Sequence, residues 1–102
     1  MIARMWRGTA TAAKAGDYRR HFTTNVAPHL GEIEGNKGAL LLQRDLDGRV
    51  EFVAITWWDS METVKKFAGS KPEMAVIEPE AQAALSGFDD FVTHYDVTYR
   101  GD

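Results

Sequence analysis

The sequence lacks several features that would point to particular kinds of chemistry. It contains no cysteine, which excludes disulfides, thiolate metal ligands and a cysteine nucleophile, and which fits a reducing cytoplasm. The net charge of −3 offers no basic surface for a nucleic acid. No apolar run approaches the roughly 20 residues that cross a bilayer, and the N-terminus lacks the apolar core of a signal peptide. These absences predict a cytoplasmic protein that binds neither nucleic acid nor membrane.

Histidine is scarce as well. The only three are His21, His29 and His94, and no two of them have the i, i+2 or i, i+4 spacing that brings ligands together on a strand or helix. We therefore predict no metal site and no cofactor.

The residues that are present indicate a small globular unit. The chain of 102 residues corresponds to a single domain spanning 1–102. Apolar residues make up 44% of the chain and charged residues 26%, which is typical of a folded protein rather than a disordered one.

Four segments have the pattern of β-strands. They cover residues 2–9, 39–46, 50–58, and a final stretch from 88 or 90 to 99. Asp47-Gly48 between the second and third segments predicts a two-residue hairpin.

Two segments have helical spacing. From about 13 to 30, with Thr11 as a possible cap, an apolar stripe recurs at helical intervals, and Pro28 predicts a kink or a separate turn near its end. A second helix is predicted from Asp59, with Glu62 reaching back in a capping box, to Gly69. A short third helix is possible near 80–85.

The order strand, helix, strand, strand, helix, strand predicts an α+β fold of the ferredoxin-like β-α-β-β-α-β type, with an antiparallel sheet. Two helices cover one face of such a sheet, yet its strands are apolar on both faces, as Val53, Ile55 and Tyr95 illustrate. A monomer would expose this second face. The sequence therefore predicts a homodimer formed through the sheet faces; the alternative is a monomer that tolerates a partly apolar face.

Two motifs resemble a known family. Trp57-Trp58-Asp59-Ser60-Met61-Glu62, followed by Phe67-Ala68-Gly69, is similar to the W-D-S-x-E … F-x-G stretch of the antibiotic biosynthesis monooxygenase-like family. The first and last strands resemble those of that family too. The resemblance implies a dimeric α+β barrel that takes a small apolar or aromatic molecule. The activities it implies include cofactor-independent, quinone-forming oxygenation and haem degradation.

The haem-degrading branch is disfavoured by three positions. Its members resemble one another in having an asparagine on the first strand, a tryptophan late in the second helix and a histidine about ten residues later. This chain has Trp6 and Arg7 on the first strand, Phe67 in the helix, and no histidine between Glu73 and Glu78. We therefore expect no haem degradation.

For cofactor-free oxygenation, the candidate catalytic residues are His94, His29 and Tyr95. Either histidine would act as the base, since imidazole titrates near neutral pH, and Tyr95 or Arg4 would donate to an anion. The simpler interpretations are a packed histidine at 94 and a helix-terminal one at 29. His21 is predicted to face solvent.

The candidate substrate-binding residues share a planar or cationic side chain that suits an aromatic ligand. They are Trp6, Phe22, Trp57, Trp58, Phe67 and Arg4. Core packing is the alternative for the aromatic ones. Neighbouring tryptophans on one strand face opposite ways, so only one of Trp57 and Trp58 is expected to face the helices. Glu78 and Glu80 are candidates for a pocket mouth.

Three functions remain open at this point. The leading hypothesis is a cofactor-independent monooxygenase of an aromatic or quinol-like small molecule. A second is a non-catalytic dimer that binds a small molecule or takes part in a stress response. A third is isomerisation or cyclisation on the same scaffold. A closed apolar cavity with a histidine or tyrosine favours an enzyme; a collapsed one favours a structural role.

Overall fold

The computed structural model describes residues 1–101 as an antiparallel sheet with helices packed on one face. The strands are β1 (Ile2–Thr11), β2 (Asn36–Leu46), β3 (Arg49–Trp58), β4 (Gly87–Phe88) and β5 (Thr93–Asp96). The helices are α1 (Ala15–His21), a π-helical turn (Phe22–Val26), α2 (Ala27–Gly31), α3 (Met61–Ala68) and α4 (Pro79–Ala84). The predicted α+β, ferredoxin-like fold class is confirmed. Among residues 1–101, no helix combines the length and the apolar character needed to cross a membrane.

The longest pairings of the sheet join β1 to β3 and β3 to β2, and the order is β2-β3-β1-β4, with β5 also paired to β1. The predicted hairpin is confirmed, because Leu46 pairs directly with Arg49. Gly48 between them has a φ of 78°, a left-handed conformation that glycine adopts without a steric penalty.

The first helical segment is interrupted by the π-helical turn. The amide of Ala27 donates to the carbonyl of Phe22, five residues earlier, and the following residue, Pro28, has no amide hydrogen to donate. Each residue after this turn is shifted by about one position around the axis. As a result Leu30 is buried and His29 is exposed. Thr11 does not cap the segment, since it is the last residue of β1 and Lys14 holds the N-cap position.

The cap of α3 lies one residue later than predicted. Ser60, not Asp59, is the N-cap, and its hydroxyl accepts from the Thr63 amide while the Thr63 hydroxyl accepts from the Ser60 amide. Thr63 thus has the capping-box role that was predicted for Glu62. Gly69, with a φ of 81°, ends the helix as predicted.

The predicted last strand is divided in two. Between β4 and β5 the chain leaves β1 and pairs with the segment that follows α3, where Met74 and Phe91 form an isolated bridge. The amide of Ala75 donates to the Asp90 carbonyl at 2.9 Å, and the amide of Val92 donates to the Glu73 carbonyl at 2.8 Å. This second pairing explains why β5 contains only four residues.

The two faces of the sheet differ in what covers them. Paired residues on neighbouring antiparallel strands share a face, so the register divides the side chains. The inner face, toward the helices, carries Ile2, Arg4, Trp6, Gly8, Phe52, Ala54, Thr56, Trp58 and His94. The outer face carries Ala3, Met5, Leu40, Leu42, Val53, Ile55, Trp57 and Tyr95. Within residues 1–101 no helix covers the outer face, and Leu40, Leu42 and Tyr95 are 47%, 46% and 52% exposed.

Candidate functional site

A cavity lies between the inner face of the sheet and the helices. The cavity has a volume of about 70 Å³ and opens to solvent on one side. Most of its lining is apolar and comes from the sheet, the first helical segment, α3 and the stretch before α4, including Trp6, Phe22, Val26, Leu30, Phe67 and Ile77. Besides Trp6, whose indole N–H bonds to a backbone carbonyl, five lining residues carry polar side-chain groups: Arg4, Tyr18, His21, Thr56 and Glu78. An apolar enclosure with a few converging polar groups is the usual form of a small-molecule site.

One wall of the cavity depends on a glycine. The indole of Trp6 lies over Gly8 so closely that a Cβ at residue 8 would be 2.5 Å from an indole carbon. The indole is held in this position by a hydrogen bond of 3.0 Å from its Nε1 to the Asp89 carbonyl. Its ring centroid is 5.9 Å from that of Tyr18. Gly8 is the next residue on the same face of β1, and its lack of a side chain allows the Trp6 indole to lie along the sheet.

Arg4 is the most deeply buried charged group of the site, at 5% exposed. Its Nη1 donates to the Pro72 carbonyl, and its Nη2 donates to the Met74 carbonyl at 2.9 Å. The guanidinium carbon lies 5.7 Å from the centre of the Phe67 ring. Burial lowers the pKa of Arg4 to about 10, so the group is still a cation at neutral pH. Arg4 thus fixes the segment that closes the cavity and adds positive charge to its lining.

The contact between Arg4 and His94 defines the protonation of the histidine. Nη1 of Arg4 lies 3.1 Å from Nε2 of His94. A guanidinium has only donors, so Nε2 must accept, and His94 is a neutral ring with its hydrogen on Nδ1. Burial lowers the pKa of His94, and the Arg4 charge lowers it further, while Glu73 acts in the opposite direction. His94 supports Arg4 from behind and is absent from the cavity lining.

This arrangement predicts that the protein loses stability as His94 becomes protonated. Because the folded pKa lies below the unfolded value of about 6.5, the unfolded chain binds more protons in the window beneath 6.5, and stability rises with pH there. We expect urea unfolding to give a lower free energy at pH 5 than at pH 7. In His94→Gln, the amide oxygen accepts from Arg4 at every pH, so this part of the pH dependence should disappear. An unchanged profile in the variant would contradict the assignment.

Tyr18 and Thr56 bring hydroxyl groups to the cavity. Tyr18 is buried, and burial raises the pKa of its phenol, which is therefore neutral. Thr56 accepts a hydrogen bond of 2.8 Å from Nε1 of Trp58, which leaves its own hydroxyl hydrogen available. Trp58 is fully buried behind Thr56 and stacks on Phe67 with ring centroids 5.8 Å apart. Trp58 thus supports the cavity without lining it.

The predicted site residues fall into three groups. Arg4, Trp6, Phe22 and Phe67 line the cavity, as does Glu78. His94 and Trp58 lie behind lining residues on the inner face. The others lie away from the cavity: Trp57 and Tyr95 are on the outer face, and His29 is exposed on α2, with its ring 6.1 Å from that of Phe67.

These placements correct the expectations for Tyr95, Trp57 and His29, and they put His94 and Trp58 behind the lining and not in it. Tyr95 cannot donate to a ligand in this cavity, because the strand alternation that brings His94 to the inner face turns Tyr95 outward. Trp57 is excluded by the same alternation. His29 is displaced by the π-helical turn, which puts Leu30 on the inner side instead.

The sequence interpretation missed His21. It was expected to face solvent, yet it is 7% exposed and lines the cavity. A signal was present, since His21 lies three residues after Tyr18 and therefore shares its helix face.

A charged cluster lies at one end of the outer face. The Glu51 carboxylate is buried between two arginines: it accepts from Arg7 and, at 2.6 Å, from Nε of Arg44. The hydrogen bonds from Arg44 and then Arg7 lower the pKa of Glu51 to about 2. Among residues 1–101, no three histidine, aspartate or glutamate side chains come together as a metal site.

Comparisons with known proteins agree on the family and the fold. The family model described as antibiotic biosynthesis monooxygenase matches residues 1–86. A comparison with curated protein sequences gave no match.

Several solved structures have the same fold. A candidate antibiotic biosynthesis monooxygenase from Deinococcus radiodurans has a TM-score of 0.68 at 15% identity, over 100% of this chain and 97% of that one. The haem degrader MhuD from Mycobacterium tuberculosis has a TM-score of 0.65 at 18% identity, over 100% of both chains. A variant of SnoaB, a cofactor-independent oxygenase from Streptomyces nogalater, has a TM-score of 0.63 at 20% identity, over 97% of this chain and 94% of that one.

Proposed function

The chain belongs to the antibiotic biosynthesis monooxygenase family, and from that membership we propose that it oxidises an aromatic or quinol-like small molecule with O₂ and without a cofactor. The observation that supports the proposal most is the inner cavity. It joins an apolar, aromatic lining to a buried arginine and a few hydroxyl and imidazole groups. SnoaB is a cofactor-independent oxygenase with the same fold. MhuD shares the fold too, but this chain lacks the three features of the haem-degrading pattern.

The reaction we propose needs a deprotonated substrate, O₂ and a cavity that excludes water. It requires little else from the protein. An anthrone or hydroquinone that loses a proton becomes electron-rich enough to give one electron to O₂. The resulting radical and superoxide combine at carbon as a peroxide anion, which takes back the proton held by the base and becomes a hydroperoxide. For an anthrone, loss of water then leaves a quinone carbonyl that contains one oxygen atom of O₂, while the second oxygen departs in the water. The atoms and electrons balance with O₂ as the only oxidant.

The described residues supply two of the groups that this reaction requires. Arg4 uses three of its five N–H donors on Pro72, Met74 and His94. These partners are neutral, so the guanidinium keeps its positive charge, and this charge stabilises an anion in the cavity. Glu78 is the one carboxylate among the lining residues. It holds the N-cap position of α4 without a side-chain hydrogen bond, so its carboxylate is free to accept the substrate proton at the cavity mouth.

Incubation with anthrone tests this function. We expect anthraquinone to form in air faster than with boiled protein, to stay absent without oxygen, and to carry one ¹⁸O atom from ¹⁸O₂. Activity should survive a chelator. Glu78→Gln should reduce the rate about 100-fold, as the loss of a general base does, while Glu80→Gln, a neighbouring carboxylate outside the lining, should keep it. Anthrone binding with no oxygen-dependent product would contradict the proposal.

A specific observation favours the second candidate, a non-catalytic small-molecule-binding dimer. Neither histidine that the sequence offered as a base has a free nitrogen in the cavity: His29 is exposed, and Nε2 of His94 is occupied by Arg4. Binding of anthrone without turnover, in the experiment above, is the result that this candidate predicts. An altered product that forms without oxygen would instead support isomerisation or cyclisation.

We also propose that two copies associate through the outer face as a homodimer. This face presents contiguous apolar side chains on β1, β2, β3 and β5, and several of them are about half exposed. Trp57 lines a second groove on this side with Leu40, Val97 and Tyr99. An apolar surface of this kind on a small protein is typical of an interface. A second copy presents the same surface, so a two-fold arrangement covers both.

A further inference from the structure

Nε2 of His21 is the one buried side-chain nitrogen or oxygen among residues 1–101 that has no hydrogen-bond partner. The residue lines the cavity and is 7% exposed. A polar atom left unpaired in an apolar enclosure is unfavourable, and native proteins contain few of them. Because His21 also lines the cavity, a bound molecule with a polar group beside this residue would supply the missing partner.

The proton on His21 is set by Asn25, one turn further along the helix. Nδ2 of Asn25 lies 3.1 Å from Nδ1 of His21. An amide NH₂ group donates, so Nδ1 accepts, and in the neutral ring the hydrogen is then on Nε2. The unpaired atom is therefore a donor. It calls for an acceptor such as a carbonyl or phenolate oxygen.

We propose that Nε2–H of His21 binds the ring oxygen of an aromatic ketone or phenolate and so selects oxygenated rings over hydrocarbons of the same shape. The proposal rests on the aromatic ligand class of the proposed function, but not on oxidation of that ligand. Tyr18 precedes His21 by one turn on the same helix face and lines the same cavity. A hydrocarbon would leave the His21 donor unpaired, and a site built to bond an oxygen discriminates against a ligand that lacks it.

Two bicyclic probes of nearly equal shape test the proposal. 1-Tetralone has a carbonyl oxygen that can only accept, and tetralin has no polar atom. We expect calorimetric titration of the wild type to show 1-tetralone bound about fivefold to tenfold more tightly than tetralin, as one net hydrogen bond provides. In His21→Leu this preference should disappear, with tetralin bound as well as before. His21→Gln, whose amide can donate, should restore part of it.

The control is His29→Leu, which removes an exposed imidazole outside the cavity and should leave the preference unchanged. A second measurement needs no substitution: the ¹⁵N shifts of His21 should show Nε2 protonated and Nδ1 unprotonated, with Nε2 responding to 1-tetralone. A preference that persists in His21→Leu, equal wild-type affinities, or failure of both probes to bind would overturn the proposal. A ketone preference without any oxygen-dependent product from anthrone would retain His21 as the donor and remove only the oxygenase activity.

Discussion

Replacing Leu40 and Leu42 together by glutamate should weaken the proposed dimer at least about 1,000-fold. Both side chains are on the outer face and about half exposed in the single chain, so the carboxylates stay hydrated in a monomer. In a face-to-face dimer they would be buried without a partner, and the two-fold symmetry places four of them in one interface. An unpaired buried charge costs several kcal/mol, and about 4 kcal/mol already corresponds to 1,000-fold in affinity.

Sedimentation equilibrium of the wild type and the double variant measures this change directly. The matched control is Thr23→Glu with Thr24→Glu, which adds the same two charges to exposed positions on the helical side. The control should associate as the wild type does, and circular dichroism should show both variants folded. A wild type that is monomeric at millimolar concentration, or a Leu40/Leu42 variant that dimerises normally, would exclude the outer face as the interface.

The fold was predictable from the sequence because its strongest signals are local. Asp47-Gly48 between two apolar runs specified the hairpin, and Gly69 specified the end of α3. The last strand was predicted too long because alternation continues from Phe91 to Tyr99, whereas the backbone hydrogen bonds of residues 89–92 go partly to the segment around Met74. That choice between two partners is a tertiary contact, which strand periodicity does not encode.

The sequence predicted only part of the site correctly, and the π-helical turn explains one of the main errors. A stripe read at 3.6 residues per turn puts His29 beside Val26, but the wider turn moves Leu30 into that place. The role of His94 was unpredictable for another reason. Its nearness to Arg4 follows from the β1–β5 register, and no sequence pattern on either strand specifies that register alone.

Replacing Arg4 by methionine should both destabilise the protein and abolish ligand binding. Methionine replaces the aliphatic part of the arginine side chain but not its guanidinium. The carbonyls of Pro72 and Met74 are then left without their donor. An acceptor left unpaired costs about 1–3 kcal/mol when it is buried. Both bonds are part-buried, and part of the cost is offset because a guanidinium is no longer desolvated. We expect the free energy of unfolding in urea to fall by about 2–4 kcal/mol.

The loss should be concentrated where Arg4 acts, on the segment that closes the cavity. The amides of Ala75 and Val92 tie this segment to residues 89–92. Their hydrogen exchange should accelerate well beyond that of the β3 amides, because β3 is a central strand and we expect its amides to open with global unfolding. Binding of 1-tetralone should fall below detection, because Ala75, Ile77 and Glu78 would no longer form a fixed wall. His94→Gln, which retains both carbonyl contacts, should keep slow exchange at these two amides. Uniform acceleration across the sheet would instead mean that Arg4 contributes to overall stability without positioning the wall, and the cavity would then owe its shape to the apolar contacts alone.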